Sequence, residues 1–141
     1  MSSISFFSAD TLFEPPHQKV IKEWIAAIIS REGKKLKHLN YIFCSDAHLL
    51  LINQQYLDHD YYTDIITFDA SDSPDVIEGD IFISIDRVQD NAATLGHSFS
   101  HELNRVVAHG VLHLIGYDDT SPDLKLQMRQ KEDSYLSLFH S

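Results

Sequence analysis

Apolar positions along the chain follow two rhythms. In residues 19–32, KVIKEWIAAIISRE, they recur at Val20, Ile21, Trp24, Ile25, Ile28 and Ile29, the three-and-four spacing of an amphipathic helix, with Gly33 placed to end it. Elsewhere short runs rich in β-branched and aromatic residues read as strands: SISFF (3–7), LNYIFCS (39–45), TDIITFD (63–69) and GDIFISID (79–86). Between the second and third lies a helical stretch, AHLLLINQQYL, with Ser45 or Asp46 as its cap, and the last two strands are separated by the turn-prone ASDSPDVIE.

From about Asp86 the pattern is helical again. Gly96 divides it, and a second helix runs from near Ser98 or Ser100 to about Leu114. Gly116 sits where a glycine can close a helix end, and TSPDLKLQMRQKEDSYLSLF (120–139) forms a last helix with Thr120 or Ser121 as cap and Pro122 in the first turn. Strands and helices alternate with too few crossover units for a doubly wound sheet. The expected fold class is therefore α+β: a small mixed β-sheet of about four strands with helices packed on it, in a single domain spanning residues 1–141.

Composition narrows the setting. The one cysteine, Cys44, excludes an intramolecular disulfide, and no apolar run approaches the roughly 18 residues of a membrane span. A soluble, cytoplasmic protein is expected, with no membrane partner and no affinity for DNA. The net charge of −10 excludes a generic polyanion-binding surface, so any nucleic-acid contact must be local. The densest basic stretch, REGKKLKH (31–38), reads as a solvated turn after the first helix.

The candidate chemistry lies in HGVLHLIGYDD (109–119). Residues four apart on a helix lie on one face about 6 Å apart along the axis, so His109 and His113 can aim both imidazoles at one ion. The break at Gly116 lets Asp118 or Asp119 fold back as a third ligand, leaving a fourth position open as in catalytic zinc sites. The apolar residues around the two histidines place both rings in a partly buried region. A zincin-like helix of the peptidase type carries glutamate directly after its first histidine; here that position is Gly110, so a general base must come from elsewhere, with Asp118, Glu102 and His97 as candidates. Arg105, one turn before His109, is either a phosphate-binding fork or a surface residue packing its stem along the helix. Thr63, Asp64 and Asp80 either serve the metal or cap and pair within their strands. His101 should face away from the metal, and His17, His38, His48, His59 and His140 have no partner at ligand spacing.

HGVLHLIGYDD resembles the signature of the YbeY family, HGxLHLxGYDH. The resemblance extends to LINQQYLDHDYYTDIITFD (51–69), EGDIFIS (78–84), LGHS (95–98) and the pair Met128 and Glu132 in the last helix. It implies a metal-dependent, single-strand-specific endoribonuclease acting in small-subunit ribosomal RNA 3′-end maturation and ribosome quality control, with one zinc ion and with ribosomal RNA and the ribosome or its proteins as partners. Carried over by position, His109 and His113 match two metal ligands, and the third family histidine falls at Asp119, while Asp118 matches the family's own aspartate and could orient a histidine. Arg105, His97 and Asp118 are then the catalytic candidates. The family's arginine ahead of its Thr-Asp/Asn strand falls at Leu57. Two other classes compete: a ribosome-associated binding factor whose metal is structural, which the missing arginine and the acidic charge favour, and a metallohydrolase of another substrate class, which Gly110 disfavours.

Overall fold

The computed structural model describes residues 3–57 and 63–139. Strands β1 (Ser3–Ser8), β2 (Lys35–Cys44), β3 (Ile65–Asp69) and β4 (Val76–Ser84) form one sheet in the order β1-β2-β4-β3. β1, β2 and β4 run parallel, and β3 is antiparallel to β4 at the edge. Five helices complete the chain: α1 (Gln18–Arg31), α2 (Asp46–Leu57), α3 (Ile85–Leu95), α4 (Phe99–Ile115) and α5 (Pro122–Phe139). The α+β architecture with a four-stranded mixed sheet agrees with the expectation from the sequence.

The period of two along β2 and β4 divides the sheet into faces. Leu39, Tyr41 and Phe43 of β2 and Ile77, Ile81 and Ile83 of β4 enter the main core with Ile21, Trp24, Ile25, Ile28 and Ile29 of α1 and Val107, Val111 and Leu112 of α4. The second face carries a smaller cluster of Cys44, Leu49, Ile52 and Ile66, with Phe68 and Phe82 against it. α4 lies across β3 and β4 and also contacts α5. The Tyr41 hydroxyl donates to the Val107 carbonyl at 3.0 Å, fixing α4 on the sheet, and the Trp24 indole donates to the Tyr135 carbonyl at 2.9 Å, fixing α5 against α1.

Several boundaries differ from the expected ones. β2 begins at Lys35 and β4 at Val76, because the pairing of Lys35 with Val76 and of Leu36 with Ile77 draws both segments into the sheet. The second half of the basic stretch, from Lys35, is thus strand rather than turn. Val20, counted among the apolar face of α1, is 51% exposed. Of the alternative caps, Ser45, Ser98 and Ser121 accept from the backbone amides of His48, His101 and Leu124.

Candidate metal centre and cleft

α4 ends at Gly116, whose φ of 130° lies where a side chain is strained, and its amide closes the helix on the Leu112 and His113 carbonyls. The chain can therefore reverse within a few residues and bring Asp119 back beside the helix. His109 Nε2 stands 3.4 Å from Asp119 Oδ2. Two ligands held about 2.0–2.2 Å from a tetrahedral ion are roughly 3.3–3.6 Å apart, so this pair is already at ligand–ligand separation. On the other side of the ring, Nδ1 lies 2.7 Å from Glu132 Oε2 of α5, the carboxylate–histidine arrangement that turns the remaining nitrogen toward a metal. Burial alone would lower the His109 pKa, but the hydrogen bond and charge of Glu132, joined by Asp119 and Asp64, outweigh it and raise it above the ordinary value.

Glu132 is itself held. Its Oε1 accepts from Arg105 Nη1 at 2.9 Å, while Arg105 Nη2 donates to Asp133 at 2.7 Å. The guanidinium is 10% exposed and two of its nitrogens are engaged by carboxylates.

Arg105, His109, His113 and Asp119 line one open cleft of 880 Å³, together with Thr63, Asp64, Glu102 and a wall contributed by α5. His113 is exposed rather than partly buried, because its turn of α4 emerges from the sheet just before the helix ends. Among the described residues, no three His, Cys, Asp or Glu side chains stand close enough to form a ligand set as placed; His109 and Asp119 do, and His113 lines the same space one helical turn on. The donor types, two imidazoles and a carboxylate, suit zinc.

The other candidates separate. Asp118 is turned onto its own loop, accepting from the Asp119 amide at 2.7 Å and the Thr120 hydroxyl at 3.4 Å, and it does not line the cleft. His97 is exposed at the α3–α4 turn, with its ring 4.6 Å from that of His101, also outside the cleft lining. Asp80 accepts from Asn40 across the β2–β4 pair at 3.0 Å and plays no part in the cleft lining. Asp64 and Glu102 do line it. Burial raises the pKa of each, with the Asp64 charge adding to the rise at Glu102 and the Glu132 charge adding to that at Asp64. Cys44, by contrast, is buried on the far face with its thiol pushed up to about 12 by desolvation and nearby carboxylates, which excludes it as a nucleophile.

Gly110 explains the missing glutamate. A Cβ there would meet Ile65 Cδ1 at 2.9 Å and Ile81 Cγ2 at 3.0 Å, so this phase of α4 faces the sheet and any longer side chain would enter the core instead of the cleft. His59 and His140 lie outside the described residues.

The whole chain matches known proteins in keeping with this site. The family model described as Endoribonuclease YbeY matches residues 6–140. The chain belongs to the YbeY endoribonuclease family. Its relatives include Endoribonuclease YbeY of Cytophaga hutchinsonii, 52% identical over 136 residues, covering 96% of this chain and 95% of that protein. The Flavobacterium psychrophilum enzyme of the same name is 48% identical over 134 residues, covering 95% of each chain. The solution structure of TM1509 from Thermotoga maritima is similar at 30% identity and a TM-score of 0.68, covering 97% of this chain and 89% of that one. Membership in the YbeY family makes this chain a hydrolytic nuclease with RNA as substrate. Among the described residues, no helix is long and apolar enough to cross a membrane.

The sequence reading matched Glu132 to the last helix but gave it no role beside His109. Glu132 falls on the buried side of α5 beside Met128, one turn earlier, and a glutamate in the apolar phase of a helix was the available signal.

Proposed function

We propose that the chain, acting as one domain over residues 1–141, is a zinc-dependent, single-strand-specific endoribonuclease of ribosomal RNA 3′-end maturation and ribosome quality control, working in the cytoplasm on the ribosome. His109, His113 and Asp119 hold one zinc ion. The observation that carries this reading is the 3.4 Å approach of His109 Nε2 and Asp119 Oδ2 with Nδ1 engaged by Glu132. When bound, the ion supplies a Lewis acid that withdraws charge from a phosphoryl oxygen and makes water more acidic.

The chain's own groups do the rest. Glu132 keeps the His109 proton on Nδ1, and Arg105 holds Glu132 in place, so Arg105 acts as a positioning residue rather than as the phosphate fork. Of the three proton-transfer candidates, Glu102 is the one whose side chain lines the cleft, and the proton-accepting role falls to it. The attacking oxygen is a water or the neighbouring 2′-hydroxyl, and either can reach a cleft this open.

Purified protein given single-stranded ribosomal RNA fragments should cleave them, with loss of cleavage on adding a chelator and in His113→Ala. Cleavage that persists unchanged in His113→Ala would come from a contaminant and would sink the proposal. A chelator-dependent fall in melting temperature without cleavage under any condition would instead identify a ribosome-binding factor with a structural metal.

A further inference from the structure

An RNA strand entering the cleft meets an acidic interior, since Asp64, Glu102, Asp119 and Glu132 all line it. The protein as a whole repels a polyanion with a net charge of −10. Local cations must offset both terms at the place where the backbone lies. Arg105 is withdrawn for this purpose, being buried and ion-paired to Glu132 and Asp133.

Two other cations line the same cleft, Lys125 and Arg129 of α5. Both are exposed, and among the described residues neither side chain makes a hydrogen bond or has a carboxylate within ion-pair distance, although the Arg129 charge is felt at Glu102. Their separation of four residues puts them on one helical face, about 6 Å apart along the axis. Leu126, 58% exposed and also lining the cleft, lies beside them as an apolar ledge against which a base can rest. In the remaining basic cluster, Lys34 and Lys37 face Asp75 at 4.0 Å and Glu78 at 3.7 Å, and none of its members lines the cleft.

The geometry points to Lys125 and Arg129 as the phosphate-binding rail for single-stranded RNA, holding the backbone along α5 beside the metal centre. This assignment rests on RNA as the substrate and is independent of how the strand is cut. Each cation neutralises a phosphate and releases its condensed counterions, so each contributes a definite share of the salt dependence of binding. Arg129 adds a fork that matches two phosphate oxygens, while Lys125 acts as a point charge.

The test is binding of a fluorescent, unstructured RNA oligonucleotide to the full chain as purified, metal included, by anisotropy at low temperature across a salt series, with the RNA checked for integrity. The variants are Lys125→Gln, Arg129→Gln, the double variant and, as a control of equal charge change, Lys35→Gln/Lys37→Gln. Each cleft substitution should reduce the slope of log affinity against log salt by about 0.7, and the double variant by about 1.4. Both residues are exposed, so melting temperatures should stay near that of the unaltered chain. In cleavage assays KM should rise while kcat holds, the pattern of lost uniform binding. An unchanged slope in the double variant, or an equal fall in the control, overturns the assignment. An unaltered chain that binds RNA without cleaving it, while the cleft variants still show the reduced salt slopes, would count against the nuclease chemistry and leave the rail standing, so the two failures read differently.

Discussion

At the scale of single residues, the tautomer of one imidazole governs whether the site can take a metal. Glu132 Oε2, 2.7 Å from His109 Nδ1, requires the proton on Nδ1 and leaves Nε2 with its lone pair toward Asp119. In Glu132→Gln the amide must either donate to Nδ1, which forces the proton onto Nε2, or turn its NH₂ toward the Arg105 guanidinium, where donor meets donor. Both arrangements disfavour ligation. Zinc affinity, measured by competition with a chelator, should fall about 10–100-fold in this variant while Arg105 keeps its bond to Asp133 and the fold survives. Unchanged affinity would show that Glu132 does not set the tautomer. That His109 and His113 line one cleft was legible from their spacing, because the helical repeat puts residues four apart on one face. Glu132 lies 23 residues further on, and Asp119 could not be told from Asp118 until the loop after Gly116 had a conformation.

The elements that carry the candidate ligands are joined at one partly buried carboxylate. Glu32, at the end of α1, accepts from Tyr117 at 2.6 Å, from Tyr135 of α5 and from Lys131 of α5 at 3.2 Å, with the Lys131 ammonium over the Tyr117 ring at 5.5 Å. It thereby ties the turn bearing Asp119 and the helix bearing Glu132 to the same point. Burial would raise the Glu32 pKa, but the three donors and the Lys131 charge hold it below the ordinary glutamate value. A carboxylate with a depressed folded pKa stabilises the protein above its unfolded value, and that contribution disappears as pH falls through the folded one. Melting temperature should therefore drop more steeply on acidification below about pH 5 in the unaltered chain than in Glu32→Gln, which should also be about 1–3 kcal/mol less stable at pH 7. Parallel curves would remove Glu32 from this role. At this scale the helices were readable from their periodicity and caps, as α1, α3 and α4 show. The starts of β2 and β4 were not, because Lys35 and Val76 are strand residues only by virtue of each other. Contacts such as Glu32 to Tyr117, 85 residues apart, have no local sequence signal.

For the whole molecule the decisive quantity is a net charge that opposes its substrate. The α+β class followed from the pattern of the sequence, and composition gave the expectation of local nucleic-acid contact, whereas the place proposed for that contact depended on which cations of the cleft the fold leaves without an ion pair. A field summed over the surface acts through solvent and is screened over about 10 Å at 0.1 M salt, while a phosphate seated against a side chain is far less sensitive to distant charge. Asp72 and Asp75 are exposed in the β3–β4 connection, outside the cleft lining, so they act on RNA only through this field. Asp72→Lys/Asp75→Lys should accordingly speed RNA association several-fold at about 20 mM salt and make no difference near 500 mM, with dissociation little altered throughout. The opposite partition, with dissociation slowed and the effect persisting at high salt, would mean that RNA lies directly on the β3–β4 connection and that the bound strand extends well beyond the cleft. If association responds and dissociation does not, the acidic surface works as a filter: isolated RNA is admitted slowly, and any surface that presents the strand at close range bypasses the repulsion.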